Sequence, residues 1–136
     1  MTYLDSWVWI EYVLGGEAEN DAETVLDDAH DGGGTTSTIT LTEVDYIIRR
    51  EIDRETADFV TSSIEDSNSL RVVSVSDDIA LRASSIRTKY YQRRERELSY
   101  ADSIHIATAV LTDCEMIHTG DSDFESLDEI ESVVYR

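Results

Sequence analysis

Residues 99–119 read SYADSIHIATAVLTDCEMIHT, a helix-forming stretch that runs into a strand-forming one. Ile104, Ala107, Thr108 and Leu111 recur at the three- and four-residue spacing of a single helix face, which turns that helix toward a core. The closing EMIHT (115–119) reads as a strand. The same alternation extends outward in both directions. TYL (2–4) reads as a short first strand, followed by a helix through about Leu14 and a second helix over AENDAETVLDDAH (18–30). HDGGGTTS (30–37) reads as a connection, TSTIT (36–40) as a β-branched strand, and LTEVDYIIRREI (41–52) as a helix. A further helix is expected over 54–66, a strand over LRVVSVS (70–76) and a helix over DDIALRASSIRTKYY (77–91). DSDFESL (121–127) reads as a loop entering a short helix, and SVVYR (132–136) as a last strand. Strands alternating with helices imply an α/β fold, a mainly parallel sheet wrapped by helices.

The 136 residues match one ordinary domain, so a single domain over 1–136 is expected, and the 40% hydrophobic content argues against disorder. No apolar run is long enough to span a bilayer, and Asp5 and Glu11 interrupt the first one, so neither a membrane span nor a signal peptide is expected. Cys114 is the single cysteine, which excludes an internal disulfide and a cysteine-rich zinc site and fits a reducing, cytoplasmic setting. The net charge is −19, and Lys89 is the only lysine among 11 cations, a pattern like that of proteins from extreme halophiles. At molar salt the Debye length falls to about 3 Å, so this charge does not exclude a nucleic-acid partner.

Five acids sit near the junctions between strands and helices. Asp5 follows TYL, Glu43 follows TSTIT by three residues, Asp102 lies in the first turn of the 99–112 helix, and Asp121 and Asp123 follow EMIHT. Ligands of parallel α/β sheets bind beyond the carboxyl ends of the strands, where these acids are placed. Each also has a capping alternative. Thr40–Glu43 and Ser99–Asp102 both fit a capping box, and Asp5 and Asp121 could each cap the element that follows.

Their contexts resemble PIN-domain nucleases. YLDSWVWIEYV (3–13), TITLTEVDYIIRR (38–50), LSYADSIHIATAV (98–110) and MIHTGDSDFESL (116–127) are similar to the four motifs of that family, in family order and over essentially the whole chain. The compact form is most like the VapC toxins of toxin–antitoxin pairs. One departure is SWVW (6–9), where tryptophans stand at positions the family usually gives to smaller residues.

The resemblance implies a PIN-like, three-layer α/β/α fold. It also implies that Asp5, Glu43, Asp102 and Asp121 converge on Mg²⁺ or Mn²⁺, with Asp123 as an additional metal ligand or an acid supporting the others, and Ser6 and Thr119 as orienting hydroxyls. The implied activity is RNA phosphodiester hydrolysis leaving a 5′-phosphate and a 3′-hydroxyl, and the implied partners are a VapB-like antitoxin and a second copy of the chain. Elementary electrostatics agrees with a cation. Two charges about 4 Å apart repel by roughly 4 kcal/mol at an effective dielectric near 20, and oxygen donors suit Mg²⁺. A housekeeping RNA-processing nuclease and a catalytically silent PIN module that binds RNA or protein are the competing readings. A phosphorelay receiver is rejected, because it needs paired acids after the first strand and a lysine on a late strand.

Six of the 11 cations fall within RASSIRTKYYQRRER (82–96). Arg87, Lys89, Arg93, Arg94 and Arg96, with Tyr90 and Tyr91, are candidates for RNA contact; pairing with Glu95 and Glu97, or contact with an antitoxin tail, are the alternatives. His105, three residues after Asp102 and so its neighbour on a helix, could touch the site but reads more simply as helix surface, and His118 reads as a packed strand residue. Trp7 and Trp9 read as core or interface residues.

Overall fold

Five parallel strands, in the order β3-β2-β1-β4-β5, organise the computed structural model, which describes residues 1–136. In chain order the elements are β1 (Thr2–Leu4), α1 (Trp7–Leu14), α2 (Glu19–Gly32), β2 (Gly34–Ser37), α3 (Thr38–Glu51) and α4 (Arg54–Asp66). There follow β3 (Leu70–Val73), α5 (Asp77–Tyr90), α6 (Tyr100–Leu111), β4 (Met116–Thr119), a 3-10 turn (Ser122–Phe124) and β5 (Glu131–Val134). No helix is long and apolar enough to cross a membrane.

The strand order has a functional consequence. β1 pairs with β2 on one side and β4 on the other, so the connections leave β1 in opposite directions and open a switch point between β1 and β4. That is where doubly wound sheets place ligands. Asp5 follows β1 there, and Gly120 and Asp121 follow β4.

Successive residues of β1 divide the core, because side chains alternate across a sheet. Tyr3 packs with Ile79, Ala83 and Ile86 of α5, Ile106 and Ala107 of α6, and Phe124. Leu4 packs on the opposite face with Val8 of α1, Ala22 and Val25 of α2, Val44 and Ile48 of α3, and Val60 and Ile64 of α4. The result is the three-layer arrangement expected from the sequence.

Three local readings are corrected. Thr38–Thr40 open α3 instead of extending β2, because Ser37 caps the helix by accepting the Ile39 N–H. Thr40 is consequently buried and bonded to Thr36, the Thr40–Glu43 capping box does not form, and Glu43 lies in the second turn of α3. The glycine run is hardly a loop: Gly32 ends α2, Gly34 starts β2, and only Gly33, at φ +87°, turns the chain between them. Finally, α6 is buried on more than one face. Ser103, His105, Ile106, Ala107, Thr108 and Ala109 are buried, whereas Leu111 is exposed and Ile104 only partly covered.

Candidate active site

Asp5 is held by hydrogen bonds from residues at the ends of both β1 and β4. Its N–H continues the β1–β4 ladder by donating to the His118 carbonyl at 3.1 Å, which fixes the backbone at the strand end. Oδ1 accepts from the Ser6 hydroxyl at 3.0 Å and the Trp7 N–H at 3.1 Å, and Oδ2 accepts from the Thr119 hydroxyl at 2.5 Å. Charge-assisted bonds of this kind hold a buried carboxylate in one rotamer. Ser6 and Thr119 therefore orient Asp5. Thr119 also receives the Asp121 N–H at 3.1 Å and so links the two strand ends.

Glu43 approaches from α3. Its Oε1 lies 2.5 Å from Nε2 of His105, whose Nδ1 lies 2.7 Å from the Tyr3 hydroxyl. His105 is thus not a helix-surface residue: it is fully buried between the sheet and α6. Burial disfavours its charge, yet Asp5, Glu43 and Asp102 outweigh that and hold its pKa above the ordinary value. Asp5, Glu43 and His105 each offer one ligand atom within 4.8 Å of the others.

Asp102 has two roles in one side chain. Its Oδ2 accepts the Ser99 N–H, and Ser99 Oγ accepts the Asp102 N–H, completing the capping box of α6. Burial foremost, with Asp121 and Asp5 nearby and despite the Ser99 bonds, raises its pKa to about 6. Asp121 is raised as well, by burial and by the charges of Asp123 and Asp5, while its Oδ1 accepts the Asp123 N–H at 2.8 Å. Asp5, Glu43, Asp102 and Asp121 all line one open pocket of about 630 Å³, with Trp7 and Tyr46 among its walls. Asp102 and Asp121 face it without joining the tight trio.

Asp123 is outside that lining. Its main-chain N–H holds Asp121, and its carbonyl accepts from Arg96 Nε at 2.9 Å.

The basic stretch separates into tasks. Arg96 also donates to the Glu125 carbonyl and lies over the Tyr90 ring at 4.5 Å. Lys89 pairs with Asp128 at 2.8 Å and Glu129 at 3.0 Å, and buried Tyr90 donates to Glu129 at 2.6 Å. Lys89, Tyr90 and Arg96 therefore tie the loop after β4 to the end of α5, with partners in that loop and not at Glu95 or Glu97. Arg87 donates to the Leu98 carbonyl and lies between the rings of Tyr91 and Tyr100, 4.2 and 4.5 Å from their centroids. Arg93 and Arg94 are exposed.

Both tryptophans are placed by packing. Trp9 is buried in the Leu4 core. Trp7 stacks on Tyr135 at 5.4 Å and 7°, and its indole occupies the space a β-carbon at Gly120 would need. The bulky SWVW segment is thus matched by a residue without a side chain in the TGD turn. Gly120→Ala is expected to lower the melting temperature by several degrees, as overpacking costs about 1–3 kcal/mol. The double variant Gly120→Ala/Trp7→Ala should lose less than the two single changes summed; strict additivity in thermal melts would refute this coupling.

A family model described as PIN domain matches residues 2–130. Among solved structures, VapC20 of Mycobacterium tuberculosis, described as a sarcin–ricin loop cleaving toxin, superimposes with a TM-score of 0.80 at 20% identity over 96% of this chain and 98% of that one. A toxin–antitoxin complex from Klebsiella pneumoniae gives 0.69 at 22% identity, over 96% and 95% of the two chains. VapBC2 of Rickettsia felis, bound to a DNA fragment from its promoter, gives 0.74 at 14% identity over 100% of both. No curated protein matches the sequence. The family match runs from the first residue of β1 to the residue before β5 and so includes every acid of the pocket: the chain belongs to the PIN domain family.

Proposed function

We propose that the protein is a Mg²⁺- or Mn²⁺-dependent endoribonuclease, the toxin of a VapC-like toxin–antitoxin pair. The observation that carries this reading is the convergence of Asp5, Glu43, Asp102 and Asp121 on one pocket at the switch point between β1 and β4. The donor set fits a hard divalent cation. It consists of carboxylate oxygens, and Asp102 is costly to ionise, by its burial first and by Asp121 and Asp5 after that, unless positive charge is supplied. Asp5, Glu43, Asp102 and Asp121 would hold the ion, and Asp123 supports the loop that carries Asp121.

Bound there, such an ion supplies a water of lowered pKa and neutralises charge on the phosphate under attack. The chain's own residues do the remainder. Thr119, Ser6 and the Trp7 N–H fix Asp5, and Ser99 fixes Asp102. Tyr46, exposed at the pocket wall, offers an aromatic ring to an unstacked base beside the acids. The expected products carry a 5′-phosphate and a 3′-hydroxyl.

Solved neighbours that are toxin–antitoxin complexes support an antitoxin as partner, and we include a homodimer, a cytoplasmic setting and work in concentrated salt in the proposal. Purified protein in molar KCl is expected to cleave RNA with Mn²⁺, to stop in EDTA, and to resume when Mn²⁺ is restored in excess. Equal cleavage in EDTA would overturn the metal mechanism. A small adjacent gene for a DNA-binding protein, whose product suppresses the growth inhibition caused by this chain, separates a toxin from an RNA-processing nuclease.

A further inference from the structure

We infer that Tyr3 and His105 form a buried positioning pair that aims Glu43 at the metal position, with His105 acting through Glu43 and not as a ligand itself. The inference rests on the metal-dependent reading above and deepens it.

A fully buried imidazole needs partners for both nitrogens, and His105 has them: the Tyr3 hydroxyl at 2.7 Å and Glu43 Oε1 at 2.5 Å. The two rings meet edge to face, at 5.7 Å and 67°. In this assignment the Tyr3 hydroxyl donates to Nδ1, which puts the proton of the neutral ring on Nε2, facing two carboxylate oxygens, Glu43 at 2.5 Å and Asp5 at 3.9 Å. Nε2 therefore carries a proton and has no lone pair for an ion. It donates to one oxygen of Glu43 and leaves the other for the metal. The role asks for no change of protonation.

The arrangement has a topological logic. Glu43 is borne by the second turn of α3, whereas Asp5 follows β1 directly. Tyr3 is two residues before Asp5, on the same face of β1. One strand thus supplies one acid and, through Tyr3 and His105, sets the aim of another borne by a different layer. Hydrogen-bond partners of metal-binding side chains serve this purpose generally, and their loss lowers metal affinity by about 10- to 100-fold.

Mn²⁺ binding, followed by electron paramagnetic resonance, and melting in EDTA test the assignment without reference to RNA. His105→Leu is expected to weaken Mn²⁺ binding by about 10- to 100-fold. His105→Gln, whose side-chain amide can still donate to Glu43, should stay much closer to wild type. Tyr3→Phe should fold and bind several-fold more weakly, because the ring loses its anchor at Nδ1. Where His105→Leu fails to fold, Tyr3→Phe decides. Unchanged Mn²⁺ affinity in the folded variants, or a directly bonded nitrogen in the wild-type Mn²⁺ spectrum, would overturn the inference. In either case a wild type that binds Mn²⁺ and cleaves RNA leaves the proposed function standing. A wild type that binds no Mn²⁺ overturns both.

Discussion

Asp102→Asn is expected to melt higher than wild type in EDTA at pH 7.5 and to fail at RNA cleavage in Mn²⁺. A carboxyl that titrates near 6 in the folded chain, against an ordinary 3.8, favours folding below pH 3.8. That contribution is lost as the pH rises through 6, because the folded state then holds an anion it disfavours. The difference amounts to at most about 3 kcal/mol, or several degrees of melting temperature. Asparagine removes the charge but keeps the cap: its oxygen still accepts the Ser99 N–H, and Ser99 Oγ still accepts the N–H of residue 102. The advantage of the variant should shrink toward pH 4, where wild-type Asp102 is itself protonated. It should persist partly in high salt, because burial, the leading cause, is not screened while the charges of Asp121 and Asp5 are.

Mn²⁺ should reverse the order. A ligand at 1,000 times its Kd stabilises the folded chain by about 4.1 kcal/mol, more than the variant's advantage in EDTA, and only wild type retains the full donor set. The comparison therefore separates a metal-binding acid from a helix cap. A cap alone would leave Asp102→Asn no more stable than wild type at pH 7.5, and that result would refute the reading. On the proposed reading, instability without metal and function arise from the same carboxyl, a common trade-off at active sites.

Asp102 also shows how much of the site was legible in the sequence. Its N-terminal place on α6 followed from Ser99 three residues earlier, and the acids after β1 and β4 followed from where strands end in a parallel sheet. Local signals failed where tertiary packing decided the outcome. Thr38–Thr40 look β-branched and strand-like, but Ser37 caps them into α3 and the core accepts Thr40 through its bond to Thr36. His105 had one weak local signal, its three-residue spacing from Asp102, which an ordinary helix-surface residue would share. Its significance comes from Tyr3 and Glu43, 102 and 62 residues away in sequence. A second hint was compositional: an ionisable residue amid the Ile and Ala of the helix expected to be most buried. The clustered cations needed tertiary structure to be read at all. Lys89 precedes Tyr90 and Arg96 follows it by six residues, yet the partners of both cations lie in the loop after β4, which no local pattern could reveal.

Asp5→Asn is expected to lower cleavage by at least about 100-fold while the protein stays folded. The lower bound follows from scale: loss of a supporting partner already costs about 10- to 100-fold in metal affinity or activity, and Asp5 is assigned to the ion itself. Stability should change little, because Asn preserves the shape and one strong acceptor. Its Oδ1 can keep the Ser6 hydroxyl and the Trp7 N–H, and the Thr119 hydroxyl can rotate to accept from the new amide. Asp5→Ala should be equally inactive but clearly less stable. It strips the acceptor from the buried Thr119 and Ser6 hydroxyls and from a Trp7 N–H that cannot rotate, at about 1–3 kcal/mol for each donor left buried and unpaired. Asp123→Asn provides the contrast. Asp123 holds Asp121 and Arg96 through its main chain, and its carboxyl is not among the pocket walls, so cleavage should stay within a few-fold of wild type. The three variants, read by RNA cleavage and thermal melts in parallel, separate charge, packing and position. Cleavage by Asp5→Asn within about 10-fold of wild type, less than a lost ligand should cost, would remove Asp5 from the site. A deep loss in Asp123→Asn would instead move the ion toward the 3-10 turn.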